Sequence, residues 1–263
     1  MTNFQKPDPR LSAAAELVRG DFIIDVGTDH AILPVYLCLS GKISRAIASD
    51  IKRGPLERAE KNIAGNGLSD MIEPVLTPGL CGLDDRSPTD IVIAGMGGIM
   101  IKDIISPSEV AKRAHLILQP MTHAHILRGY LIENGFDICE ERLARADGRV
   151  YVIISAQYSG KKCDYSEAEL YAGRFTKGYK SKNSALCSEH YEKLLSTLKK
   201  KTELGGDKNA ARLYNEIYEM KKELPLCQQQ KISIHSLTDF IRARFRANGI
   251  TTGLWSAGIP KEK

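Results

Sequence analysis

Ten residues near the N-terminus, Asp25-Val26-Gly27-Thr28-Asp29-His30-Ala31-Ile32-Leu33-Pro34, constrain the fold of this chain more than any other stretch. The apolar run Phe22-Ile23-Ile24 leads into them and the helix-compatible run Val35 to Leu39 follows. That order predicts a buried strand, a tight acidic turn and a helix. At the carboxyl end of such a strand a glycine lets the backbone approach a ligand closely. A phosphate cradle asks for backbone N–H groups, further glycines and often a lysine. Here Asp25 and Asp29 bracket Gly27 instead, a pair that repels a pyrophosphate and attracts a cation or a sugar hydroxyl. A sulfonium cofactor with an amino group suits that chemistry, so the turn points to S-adenosylmethionine.

The 263 residues suffice for one domain of common size and a smaller second one. Of the residues, 43% are apolar and 26% charged, an ordinary globular balance. No apolar run is long enough to span a bilayer, and Met1 to Pro9 lacks a signal-peptide core. The six cysteines are scattered, with no two at metal-ligand spacing, so reduced thiols, no metal and a cytoplasmic address are expected. The net charge of +5 divides unevenly. Residues 1–160 carry 17 Lys+Arg against 20 Asp+Glu, and residues 161–263 carry 20 against 12. An acidic half beside a basic half suggests small-molecule chemistry in one and polyanion binding in the other, although a lysine-rich helical surface serves solubility equally well.

Short apolar runs ending in turn residues fall at 22–27, 43–49, 71–76, 90–95 and 114–119, with helical stretches at 54–66, 98–106 and 122–134. This is the alternation of a doubly wound α/β sheet. After Gly135 the runs Phe136 to Leu143 and Val150 to Tyr158 flank Asp147-Gly148, a hairpin signal. The expectation is a Rossmann-like class I methyltransferase sheet, parallel strands ending in an antiparallel hairpin, over residues 1–160. Residues 161–263 are expected to form a basic, coiled-coil-like helical domain. Cys187, Tyr191, Leu194 and Leu198 are spaced by 4, 3 and 4, as are Leu213, Ile217, Met220 and Leu224, with the turn Gly205-Gly206-Asp207 between them. A further helix is expected over about residues 236–247.

Asp50 closes the second strand about twenty residues after the first turn, where nucleoside-binding α/β domains place a ribose-binding acid. The fourth strand runs into Gly95-Met96-Gly97-Gly98, a turn that lets backbone lie against a flat ligand. Gln119-Pro120 ends the fifth strand, and the glutamine is expected to face a target-base pocket. His123 and His125, two apart, do not share a helix face and suit a surface or capping role. His30, inside the acidic turn, is a candidate for hydrogen bonding or proton handling. The first turn lacks the spaced glycines of a nicotinamide-dependent dehydrogenase, and no Ser-His-Asp order appears.

The runs Asp25 to Pro34, Ser49-Asp50 with Gly54-Pro55-Leu56, Ile93 to Gly98, and Leu116 to Pro120 together resemble the bacterial tRNA (adenine-22-N1)-methyltransferases. The resemblance covers residues 10 to about 158 and implies methylation of an adenine in the D-arm region of tRNA. It also implies S-adenosylmethionine held by Asp25, Gly27, Thr28, Asp29, Asp50, Ile51, Gly79 and the Gly95, Met96, Gly97 turn. Two positions depart from the family: Pro78 stands where a polar residue often precedes Gly-Leu, and Met121 where asparagine usually follows Gln-Pro. In the mechanism so implied, Asp29 is the first candidate for stabilising the alkylated base and His30 the second. Candidate RNA contacts are Gln119, Pro120, Lys177, Lys180, Lys182, the Lys199-Lys200-Lys201 run, Arg242, Arg244 and Arg246. The few aromatics near these lysines argue against base stacking as the main binding mode. The oligomeric state is open. A small-molecule methyltransferase and a non-catalytic RNA-binding protein with a relic cofactor site are the alternative readings.

Overall fold

The computed structural model describes residues 6–224 except 176 and 206. Each of the five apolar runs forms a strand: β1 (Phe22–Val26), β2 (Arg45–Asp50), β3 (Ile72–Leu76), β4 (Asp90–Gly97) and β5 (His115–Thr122). The long runs that follow make β6 (Phe136–Ala146) and β7 (Arg149–Tyr158). Helices α1 (Pro9–Leu17), α2 (Ile32–Leu39), α3 (Arg53–Gly65), α4 (Gly98–Ile105), α5 (Glu109–Arg113) and α6 (Ala124–Glu133) precede or connect them. The sheet order is β3-β2-β1-β4-β5-β7-β6, with β7 alone antiparallel to its neighbours. Asp147 (φ 47°) and Gly148 (φ 69°) both sit in the left-handed region, as the two central residues of a hairpin turn matched to strand twist must.

The central strands are apolar on both faces because helices cover both. Ile23, Val92 and Ile117 pack with α1, α2 and α3 on one side, while Ile24, Ile91, Ile93, Leu116 and Leu118 pack with α4, α5 and α6 on the other. Burying each such side chain stabilises the fold by about 1.5–3 kcal/mol. The second cluster runs on without a break into the later helices α7 (Glu167–Ala172), α9 (Ser184–Gly205) and α10 (Lys208–Lys222) through Ala168, Cys187, Tyr191, Leu213 and Ile217. Between α7 and α9 lies the short α8 (Lys177–Lys182). Asp207 caps α10 by accepting from the backbone N–H of Asn209 and Ala210, as its place after two glycines predicts.

Two buried polar groups tie the elements. Arg128 of α6 and Glu141 of β6, both fully buried, pair at 2.7 Å. Arg128 also donates to the Leu170 carbonyl at 2.6 Å, and Glu141 accepts from the Arg174 N–H at 2.6 Å, which fastens the end of α7 to the sheet. Gly173 (φ 86°) makes room for them, since a Cβ there would lie 2.8 Å from Glu141 Oε2. Elsewhere Asp90, His115 and Ser155 form a buried chain, His115 Nδ1 to Asp90 at 2.6 Å and Nε2 to Ser155 at 2.7 Å. No such order is legible in the sequence, because the fold gathers it from β4, β5 and β7. Its complete burial makes it a stitch between strands rather than a nucleophile. No described helix is long and apolar enough to cross a membrane.

Candidate active site

Strand order reverses between β1 and β4, and the ends of β2, β1, β4 and β5 therefore stand side by side at the carboxyl edge. Open α/β sheets bind ligands at such a switch point. A cavity of about 550 Å³ opens there, lined by Gly27, Asp50, Ile51, Pro78, Gly79 and Met96 among others. Asp84 and Asp103 also line it, giving three carboxylates and, among the described lining residues, no Lys, Arg or His.

The turn after β1 is built for close approach. Gly27 has φ +74°, and a Cβ there would lie 2.1 Å from Met96 Cε. The N–H groups of Gly27 and Thr28 donate to the Ser49 carbonyl at 2.8 and 2.9 Å, tying the turn to β2. Beneath it, Thr28 Oγ1 donates to Asp25 Oδ2 at 2.6 Å. Burial pushes the Asp25 carboxyl up to about 6; the Thr28 bond opposes this and the nearby charge of Asp50 adds to it. Asp50 is partly exposed, one oxygen accepting from the Lys52 N–H at 2.8 Å. Ile51 beside it is 65% exposed, an apolar side chain left open at the mouth.

Asp29 and His30 lie on the exposed outer part of the turn and are not among the residues lining the cavity. Arg58 of α3 joins them, its Nη2 bonding Asp29 at 3.2 Å and its Nε donating to His30 Nε2 at 3.1 Å. His30 (φ 59°) and Ala31 (φ 50°) carry the chain through two left-handed residues, and Asn62 Nδ2 holds the His30 carbonyl at 2.7 Å.

Gln119 is buried at the end of β5 and is not free to face a pocket by itself. Its Oε1 accepts from the Gly95 N–H at 3.0 Å and from Arg10 Nη1 at 2.8 Å. Arg10, like Arg58, is a residue that sequence reading missed. It is held by Asp8, its Nη2 to Oδ2 at 2.8 Å, and lies 5.4 Å from the Tyr151 ring centroid. The departure Met121 enters the same group, with its sulfur 3.6 Å from both Arg10 Nη1 and Gln119 Nε2. The only sequence signal for Arg10 was Asp8-Pro9 ahead of an apolar-periodic run, which marks a capped helix start.

Of the three glycines where β4 passes into α4, Gly95 (φ +76°) presents its N–H to Gln119, whereas Gly98 serves packing. A Cβ at Gly98 would lie 2.5 Å from the His123 carbonyl oxygen. His123 sits in the left-handed N-cap position of α6 without a side-chain capping bond, and His125 stacks on Tyr171 at 4.2 Å. Lys177, Lys180 and Lys182 belong to α8, and Lys182 lines a separate groove between α1, β6 and α8. Arg242, Arg244, Arg246 and the helix expected at 236–247 lie outside the described residues.

The cavity fits S-adenosyl-L-methionine: carboxylates suit its sulfonium, amino group and ribose, and the apolar floor of Pro78, Met96, Met100 and Ile104 suits a flat base. Residues 8–154 match a family model described as a methyltransferase domain. Streptococcus pneumoniae Sp1610, solved in complex with S-adenosyl-L-methionine, is 29% identical with a TM-score of 0.72, covering 81% of this chain and 98% of that one. M. capricolum TrmK, solved with S-adenosyl-homocysteine, is 26% identical with a TM-score of 0.70, covering 84% and 98%. Sheet order, cavity and family model define a class I S-adenosyl-L-methionine-dependent methyltransferase. A Bacillus subtilis protein named tRNA (adenine(22)-N(1))-methyltransferase is 31% identical over 200 residues, 74% of this chain and 84% of that protein. The chain belongs to the tRNA (adenine(22)-N(1))-methyltransferase family.

Proposed function

We propose that this chain methylates N1 of adenine 22, in the D-arm region of tRNA. The observation that carries the reading is the adjacency of an acid-lined cofactor cavity at the β1/β4 switch point and the Arg10–Gln119–Gly95 group at the next strand end, in a chain of this family. S-adenosyl-L-methionine, when bound, supplies an electrophilic methyl group on a sulfonium. Adenine N1 carries its own lone pair, so the protein need provide no covalent nucleophile.

The protein's part is to position and to stabilise charge. Asp50, with Gly27, Ile51, Gly79 and Met96 around it, holds the donor at the strand ends. Gln119, fixed on both sides by Arg10 and Gly95, holds the end of β5 so that Pro120 meets the acceptor base. The base becomes more positive as its new bond forms, and Asp29 on the turn stabilises that charge, with Arg58 binding Asp29 and His30 into one unit. N1 lies on the pairing edge, so the base must be swung out of any pair before it reacts. Basic residues on the helices beyond residue 166, including Lys180, Lys182 and Lys199 to Lys201, grip phosphates in a salt-dependent way. The protein acts in the cytoplasm, where tRNA is.

Methyl transfer from labelled S-adenosyl-L-methionine to unmodified tRNA, with the product nucleoside identified by mass and retention time, tests this. N1-methyladenosine at position 22 is the expected result. Cofactor binding without RNA labelling would overturn the tRNA reading and favour a small-molecule acceptor.

A further inference from the structure

A second pocket, of about 390 Å³, lies beside the first at the carboxyl edge of the sheet. That volume is at the lower end of small-molecule sites, about 300–1,000 Å³. The two pockets are one strand apart. Met96, which lines the cofactor cavity, pairs in register with Pro120, which lines the second pocket, and neighbouring strands lie about 4.8 Å apart.

Their linings are opposite in charge. Among the described residues, the cofactor cavity carries three carboxylates and no cation, whereas the second pocket carries Arg149, Lys193 and histidines and no carboxylate. Arg149 and Lys193 are both exposed, and neither has a carboxylate partner among the described residues. Nearby arginines differ: Arg142 pairs with Glu16 and Glu140, Arg145 with Glu189, and Arg174 with Glu169. Aromatic rings complete the wall. His125 and Tyr171 stack with planes 12° apart, His123 stands 6.2 Å from His125, and Tyr151 connects the pocket to Arg10. Burial, with His123 and Arg128 close by, pushes the His125 imidazole below its ordinary value, leaving a neutral flat ring near pH 7. These rings come from α6, β7 and α7, and for that reason the aromatic-poor lysine segments gave no sign of them.

We propose that this pocket binds one unpaired RNA nucleotide flanking the target base, its phosphate held by Arg149 and Lys193 and its base against the rings of His123 and its neighbours. Cations without protein partners at the rim of an aromatic pocket match the two parts of a nucleotide. The inference rests on the tRNA reading and names where the strand beside the target goes.

The test compares the wild-type chain with Arg149→Gln/Lys193→Gln, with His123→Asn, and with the charge-matched control Lys161→Gln/Lys162→Gln on exposed lysines at the opposite end of β7. Unmodified tRNA binding is measured over a range of salt, together with KM and kcat for tRNA and calorimetric binding of S-adenosyl-L-methionine. Loss of both cations at that phosphate should weaken tRNA binding at least tenfold and flatten the log K against log salt slope by about 0.7. Cofactor affinity and Tm should stay at wild-type values, and the control pair should leave the tRNA slope in place. Asparagine tolerates the left-handed backbone at position 123, so His123→Asn should raise KM several-fold and leave the salt slope unchanged. A double variant with wild-type tRNA affinity and slope, or a control pair that loses as much, overturns the pocket while the tRNA reading stands. A wild-type chain that neither binds nor methylates tRNA removes both.

Discussion

Asp25 shows how one residue's burial reaches function. Its carboxyl is pushed up to about 6 by burial, against an ordinary value of 3.8. The folded state therefore holds a proton that the unfolded state has released between those values, so the group's stabilisation is complete below 3.8 and lost as pH rises through about 6. A bound cation favours the ionised form, and Asp25 senses Asp50 in the cavity wall. Affinity for S-adenosyl-L-methionine should accordingly fall several-fold between pH 7.5 and pH 5 in calorimetric titrations, and Asp25→Asn should flatten that dependence. Gly27 makes a second case. Gly27→Ala strains a left-handed residue and drives the Met96 methyl aside, so cofactor affinity should drop more than tenfold, with a stability loss of only about 1–2 kcal/mol. Arg10→Ala frees the Gln119 carbonyl from one of its two donors. Misplacement of this kind costs up to about 100-fold. The loss should appear in kcat with tRNA, with cofactor Kd unchanged.

At the scale of elements, buried polar ties decide which pieces stay together. The Arg128–Glu141 pair joins α6, β6 and the turn after α7, and every polar atom of Glu141 is occupied. Removing one partner of a buried pair leaves a charge without compensation, at a cost of about 3–5 kcal/mol. Glu141→Gln should therefore lower Tm markedly in thermal melts, whereas the exposed Arg145–Glu189 pair should contribute about 1 kcal/mol or less. The Asp90–His115–Ser155 chain plays the same part across β4, β5 and β7.

At the scale of the whole molecule, opposite charges gather in two neighbouring environments on one edge, a carboxylate-lined cavity within residues 1–160 and a cationic aromatic pocket to which both halves of the chain contribute. They are not mechanically independent. Cys187, Tyr191, Leu213 and Ile217 share one apolar cluster with Leu116, Leu127 and Leu131. A chain ending at residue 160 should consequently expose that face and aggregate, which light scattering of the truncated protein would reveal.

What the sequence determined by itself were the features whose cause is local. Apolar runs of strand length, the left-handed demands of Gly27, Gly95 and Asp147-Gly148, and the 4, 3, 4 spacing in the later helices each follow from neighbours in the chain. They sufficed for the sheet, its terminal hairpin, the helical pair and the tight turn at which Gly27 meets the cavity. Only tertiary structure decided which side chains meet across long separations. Arg10 reaches Gln119 over 109 positions, and Tyr151, Tyr171 and Lys193 converge on His123 from three different elements. Contacts of that kind leave no period or spacing behind, because they depend on how α1, β7 and the later helices pack on the sheet rather than on any run of adjacent residues.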